Sequence, residues 1–191
     1  MKLRSSRFAD PGMRHAAGLT LVEILVTLAI AALLMTLAVP SFKPVLERWR
    51  VKQSVGALTD TLRLARSEAI KRGGNVAIQK LANNTNGCTL AAAAADWGCG
   101  WQVFVDSDAD GSFSANEELL QLVQIPANIQ VRHSGGTASI AVDRWGKMDG
   151  LGAKSFVVAP FPDGNASPAT RTLCISSGAR IHEEEGAACR S

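Results

Sequence analysis

The hydrophobic pattern changes twice along the chain. From Leu19 to Val39, 21 residues, Glu23 is the only ionisable side chain. A helix of that length, rising 1.5 Å per residue, is about 30 Å long, the thickness of a bilayer's hydrocarbon core. Residues 19–39 are therefore expected to form a transmembrane helix. Pro40 and Pro44 each remove a backbone donor and are expected to kink or loosen the helix where it leaves the bilayer. Beyond them Val51, Val55, Leu58, Leu62, Ala65 and Ala69 recur at steps of three and four, one apolar stripe on a helix. Arg48, Lys52, Arg63, Arg66, Glu68 and Lys71 fall on other faces, and Gly73-Gly74 supplies the stop. Residues 40–72 thus read as an amphipathic helix whose stripe receives a sheet.

After Gly74 the period shortens to that of β-strands. Asn75–Leu81, Trp101–Val105, Leu119–Ile125, Ile129–His133, Ser139–Val142, Ser155–Ala159 and Thr172–Ser176 are the expected strands. Turn residues separate them, at Pro126, Gly135-Gly136, Gly150–Gly152 and Pro160–Pro168. Ala91–Ala95 reads as a loop rather than a helical turn, because Cys88 and Cys99 flank it. The expected fold is α+β: a long N-terminal helix with an antiparallel sheet on its outer half, and residues 73–191 as a β-rich head.

Charge and cysteine content refine this picture. The formal charge of +3 comes from the first 18 residues, where Lys2, Arg4, Arg7 and Arg14 face only Asp10. From Leu19 onward the chain carries 16 basic and 16 acidic residues, which leaves no global attraction to nucleic acid. The four cysteines contain no Cys-x-x-Cys pair and read as two disulfides in an exported head. Three connectivities are possible. Pairing Cys88 with Cys99 and Cys174 with Cys189 closes the shortest loops and is the expected one.

A basic leader ahead of an apolar run is a targeting arrangement, with the basic end in the cytoplasm. An unpaired acid near the start of such a run costs on the order of 2–3 kcal/mol. Gly18 followed by Leu19-Thr20-Leu21-Val22-Glu23 and a long apolar helix resembles the prepilin motif of type IV pilins and type II secretion pseudopilins. The family commonly has Phe where Leu19 stands. The resemblance implies cleavage between Gly18 and Leu19 by a prepilin peptidase, removal of residues 1–18 and N-methylation of Leu19. It also implies that Glu23 meets the amine of a neighbouring subunit, so that assembly relieves its membrane cost.

The stretch from Leu62 to Gly73, the segment Gly100-Trp101-Gln102-Val103-Phe104-Val105-Asp106, Arg144-Trp145-Gly146 and Leu173-Cys174-Ile175-Ser176 narrow the likeness. Together they resemble the GspH/FimT/FimU group of minor pilins and pseudopilins. The implied function is a structural subunit that helps initiate or cap a type IV pilus. Its alternative within the class is a minor pseudopilin of type II secretion. The implied partners are other pilins or pseudopilins, the peptidase, and inner-membrane lipid before assembly, with the head in the periplasm.

Two further stretches carry candidate chemistry. Asp106, Asp108, Asp110, Gly111 and Glu117 satisfy the spacing of a calcium loop, making Ca2+ a candidate ligand. Both flanks read as strands rather than EF-hand helices, and an Asp- and Gly-rich hairpin turn explains the same residues. Near the C-terminus Arg180 and His182 stand where DNA-binding members of the group carry a Gly-Arg-x-Arg motif. Ala179 replaces its glycine, His182 its second arginine, and Glu183–Glu185 follow at once, so a pilus-associated DNA receptor is not favoured. No nucleophile elbow, zinc-protease motif or phosphate loop is present, and the expected protein is not an enzyme.

Overall fold

The computed structural model describes residues 20–148, 154–176 and 180–190, with the backbone alone for 36–41. The leader, the Gly18–Leu19 junction, the turn at Gly150–Gly152 and the side chain of Pro40 lie outside the described residues.

One helix, α1, runs over Leu21–Arg72 and is continuous through Pro40 and Pro44. Thr20 starts it: its hydroxyl accepts the Glu23 N–H at 3.2 Å, and its carbonyl accepts the Ile24 N–H at 3.2 Å. At the other end Gly73 and Gly74 take φ of 78° and 112°, and the Gly74 N–H reaches back to the Ala69 carbonyl at 2.7 Å. That six-to-one closure satisfies a terminal carbonyl and uses the left-handed conformation that glycine tolerates. The chain divides into two compact units after Phe42, between the two prolines.

In the first unit the apolar side chains of α1, from Leu21 and Val22 through Leu25 and Leu28 to Leu34 and Met35, are exposed. Among the described residues no helix is long and apolar enough to cross a membrane.

The second unit is the head. Its strands are β1 (Val76–Lys80), β2 (Trp101–Val105), β3 (Leu119–Val123), β4 (Ile129–His133), β5 (Ser139–Val142), β6 (Lys154–Pro160), β7 (Arg171–Ile175) and β8 (Ile181–Glu185). They form two antiparallel four-stranded sheets, ordered β3-β2-β1-β5 and β4-β6-β7-β8. Every residue of the stripe Val51, Val55, Leu58, Leu62, Ala65 and Ala69 is buried, in one core with inward residues of both sheets, including Ile78, Trp101, Val103, Phe156, Val158 and Leu173. The alanines at the C-terminal end of the stripe leave room for the sheet to approach closely. Leu58 and Leu62 each fill a site where truncation to Ala costs about 2–5 kcal/mol.

Two polar contacts set the helix on the sheet. The buried Trp101 Nε1–H donates to Thr61 Oγ1 at 2.9 Å, and the Thr61 hydroxyl lies 3.0 Å from Gln121 Oε1 on β3. At the end of α1, Arg72 makes a two-pronged contact with Glu118, at 2.7 and 2.9 Å, and also holds Glu68 at 2.8 Å. The Arg72 hydrogen bonds hold both carboxyls below the ordinary Glu value.

Cys88 bridges Cys99, and Cys174 bridges Cys189. Within the first bridge the alanine run is a loop, and Lys80 organises it. The Lys80 ammonium donates to the carbonyls of Ala91 at 2.6 Å and Asp96 at 3.1 Å, and to that of Ala93.

Candidate functional site

Three places carry candidate chemistry. The first is the start of α1. Glu23 lies in its first turn, exposed, with its backbone N–H on the Thr20 hydroxyl. An acid in the first turn faces the positive end of the helix dipole. The Thr20-x-x-Glu23 spacing is that of a capping box, a helix-start signal carried by the sequence itself.

The second is the acidic turn between β2 and β3. Asp106 follows β2 and is only 4% exposed. Its two carboxylate oxygens accept the Asp110 and Gly111 N–H groups, each at 3.1 Å. Glu117 accepts the Ser107 and Ser114 N–H groups at 3.0 and 2.9 Å, and Asp110 turns to the Ser112 N–H at 2.6 Å. Phe113 closes the turn onto the sheet, edge to face with the buried Phe104 at 5.4 Å. Burial raises the Asp106 carboxyl above the ordinary Asp value, the Glu117 and Asp108 charges add to the rise, and the two N–H donors oppose it. Asp106, Asp108 and Glu117 each offer an oxygen within 4.8 Å of the others, while Asp110 falls outside that group. Three of the four candidate ligands thus converge, and backbone donors already occupy Asp106 and Glu117 on both oxygens.

The third is the C-terminal hairpin. Arg180 stands at its neck: the Ser176 N–H donates to the Arg180 carbonyl at 3.0 Å, and the Arg180 N–H to Ser176 Oγ at 3.2 Å. Residues 177–179 of the candidate motif lie outside the described residues. His182 and the three glutamates form strand β8, paired with β7. Alternation then splits the acids. Glu183 and Glu185 both reach Arg171, at 3.4 and 3.0 Å, whereas Glu184 lies 3.4 Å from His182 Nε2. Glu184 therefore faces His182, and of the two candidate residues Arg180 is the exposed one. Cys174, His182 and Glu184 also come together, but a disulfide-bonded sulfur offers no thiolate to a metal.

A family model described as the type II transport protein GspH matches residues 54–181, about two thirds of the chain. The chain belongs to the GspH family. A second model, the prokaryotic N-terminal methylation motif, matches residues 13–39 of this GspH-family protein. Two crystal structures of the type IV minor pilin FimU of Pseudomonas aeruginosa (strain PAO1) share its fold. In space group P65 the TM-score is 0.53 at 21% identity, covering 70% of this chain and 91% of that one. In space group P21 the TM-score is 0.56 at 22% identity, covering 72% and 90%. No curated protein matches the chain. The fold is α+β and pilin-like, and the GspH-family protein is a minor pilin or pseudopilin.

Proposed function

We propose that the chain helps initiate or cap the assembly of a type IV pilus, acting by incorporation and without turnover. In this reading the peptidase cuts between Gly18 and Leu19, Leu19 is methylated, and the apolar helix holds the subunit in the inner membrane with the head in the periplasm. The subunit then leaves lipid for a bundle of pilin helices. The observation that carries the proposal is α1 before Phe42: an apolar helix exposed on the isolated chain, with one acid, Glu23, in its capped first turn. Exposed apolar surface of this extent requires lipid or other helices around it. In lipid a lone acid there gains most from a partner such as a neighbour's terminal amine.

The test joins processing to assembly. N-terminal mass analysis of membrane-extracted protein is expected to give a chain that begins at methylated Leu19. Glu23→Val is expected to remain membrane-inserted yet be under-represented in sheared filaments. An intact Met1 in cells that carry the peptidase, or normal incorporation of Glu23→Val, overturns the reading. The family description supports a second reading, a minor pseudopilin of type II secretion. Deletion separates the two: loss of surface pili with normal secretion supports the first, and the reverse supports the second.

A further inference from the structure

Two adjoining clefts, of about 290 and 440 Å3, share Thr89, Leu90 and Phe161 and form one groove along the Cys88–Cys99 loop. Their size is that of sites for small ligands or single segments of a polymer. The groove is built on fixed walls. The disulfide closes the loop at its base, and Lys80 gathers two carbonyls of the alanine run and that of Asp96. The two limbs of the loop touch: the Gly98 N–H donates to the Leu90 carbonyl at 3.0 Å, and a Cβ on Gly98 would stand 2.5 Å from that oxygen. No larger residue fits there without moving the wall.

The lining is unusual in its chemistry. Asn86, Gln124 and Asn128 line one cleft, and Gln130 and Asn165 the other. None of these five side-chain amides makes a hydrogen bond among the described residues. Phe161, 48% exposed, lies where the two clefts meet. Asp96 and Arg132 are the charged residues of the second cleft, and they offset one another. The Asp96 carboxylate already accepts the Ala93 N–H at 3.1 Å.

We infer that this groove binds a neutral, hydroxyl-rich chain, a glycan. A primary amide presents a donor and an acceptor in one plane, which matches vicinal hydroxyls that both give and take hydrogen bonds. An exposed aromatic ring offers an apolar platform to the C–H face of a sugar. Balanced charge gives no reward to a phosphorylated polymer. An extended peptide would look for an open strand edge, and here β4 has none. Its outer backbone is already occupied, the Trp97 N–H donating to the Val131 carbonyl at 2.7 Å and the His133 N–H to the Ala95 carbonyl at 2.8 Å.

The test uses the full chain in a zwitterionic detergent free of sugar headgroups. The probes are tetra-N-acetylchitotetraose, cellotetraose and an uncharged Gly/Ser heptapeptide, titrated by calorimetry and by saturation-transfer NMR. Saturable binding of at least one tetrasaccharide is expected, weakened about tenfold or more by Phe161→Ala and by the paired change Gln130→Ala with Asn165→Ala. The paired change removes amides that make no hydrogen bond among the described residues, so its melting temperature is expected to equal that of the parent. No saturation with either sugar up to about 10 mM, binding unchanged in both variants, or binding of the heptapeptide alone overturns the inference. None of these substitutions touches α1, so their failure leaves the assembly proposal standing.

Discussion

Trp101 and Thr61, 40 residues apart, share a buried hydrogen bond of 2.9 Å that ties β2 to α1. Both are fully buried, so the indole N–H has no route to water. Thr61→Val keeps the volume and removes the acceptor. It is expected to destabilise the head by about 1–3 kcal/mol, lowering its melting temperature by several degrees. In the double variant with Trp101→Phe the second change is expected to cost less than it does alone, and a strictly additive cycle denies the coupling.

His133 gives the head a pH dependence. It is 1% exposed, stacked on Phe156 at 4.6 Å and edge-on to Trp97 at 5.8 Å, and its Nε2 has no hydrogen-bond partner among the described residues. Burial pushes its pKa down from 6.5 to about 4, and the nearby Lys154 charge acts in the same direction. The unfolded chain therefore binds this proton first. The stability owed to neutral His133 is complete above about pH 6.5 and drains away as pH falls towards 4. At pH 4.5 the loss from this one group is on the order of 2–3 kcal/mol. His133→Phe is expected to narrow the gap between urea midpoints at pH 7 and pH 4.5, and an unchanged gap rejects the assignment.

The acidic turn is expected to stand on its own hydrogen bonds. Asp106→Ala strands two N–H donors in a part-buried turn and is expected to cost about 1–3 kcal/mol. Asp108→Ala removes a longer contact, 3.3 Å to the Asp110 N–H on the exposed side, and is expected to change stability by less than about 0.5 kcal/mol. The melting temperature is expected to be equal in millimolar calcium and in chelator. A calcium-dependent rise that Asp108→Ala abolishes would instead assign a cation to Asp106, Asp108 and Glu117.

Arg180 is exposed at the neck of the C-terminal hairpin, and Glu184 lies 3.4 Å from His182 Nε2. Duplex DNA is expected to show no mobility shift with the detergent-solubilised chain at physiological salt, and Arg180→Ala is expected to leave pilus extension or secretion unchanged. A complex that weakens steeply with salt and is lost in Arg180→Ala would make this hairpin a DNA-binding site.

What could be read from the chain depended on how local its causes were. The stripe from Val51 to Ala69 was legible because helical period alone places those side chains on one face, and all six are buried. Trp101–Val105, Ile129–His133 and Ser139–Val142 were legible as β-rich runs with turn residues at both ends. Strand β8 was not. Ile-His-Glu-Glu-Glu has little intrinsic preference for a sheet, and what holds it is non-local: Arg171 across the ladder and the Cys174–Cys189 bridge. The division into two sheets was hidden for the same reason, since strand order depends on pairing rather than on composition. At the acidic turn the spacing was visible, but the backbone donors that claim Asp106 and Glu117 appear only once the turn has closed.

Lys80 holds the alanine loop by its carbonyl oxygens, which every residue type possesses. Shape and side-chain identity are thereby uncoupled along a surface segment whose Ala93 and Ala94 point to solvent. Such a segment is a ready-made display position. Its outward residues can be exchanged for a charge, a fluorophore anchor or a short recognition tag while the frame beneath keeps its form. A subunit built this way can change what it presents to its surroundings without renegotiating how it folds.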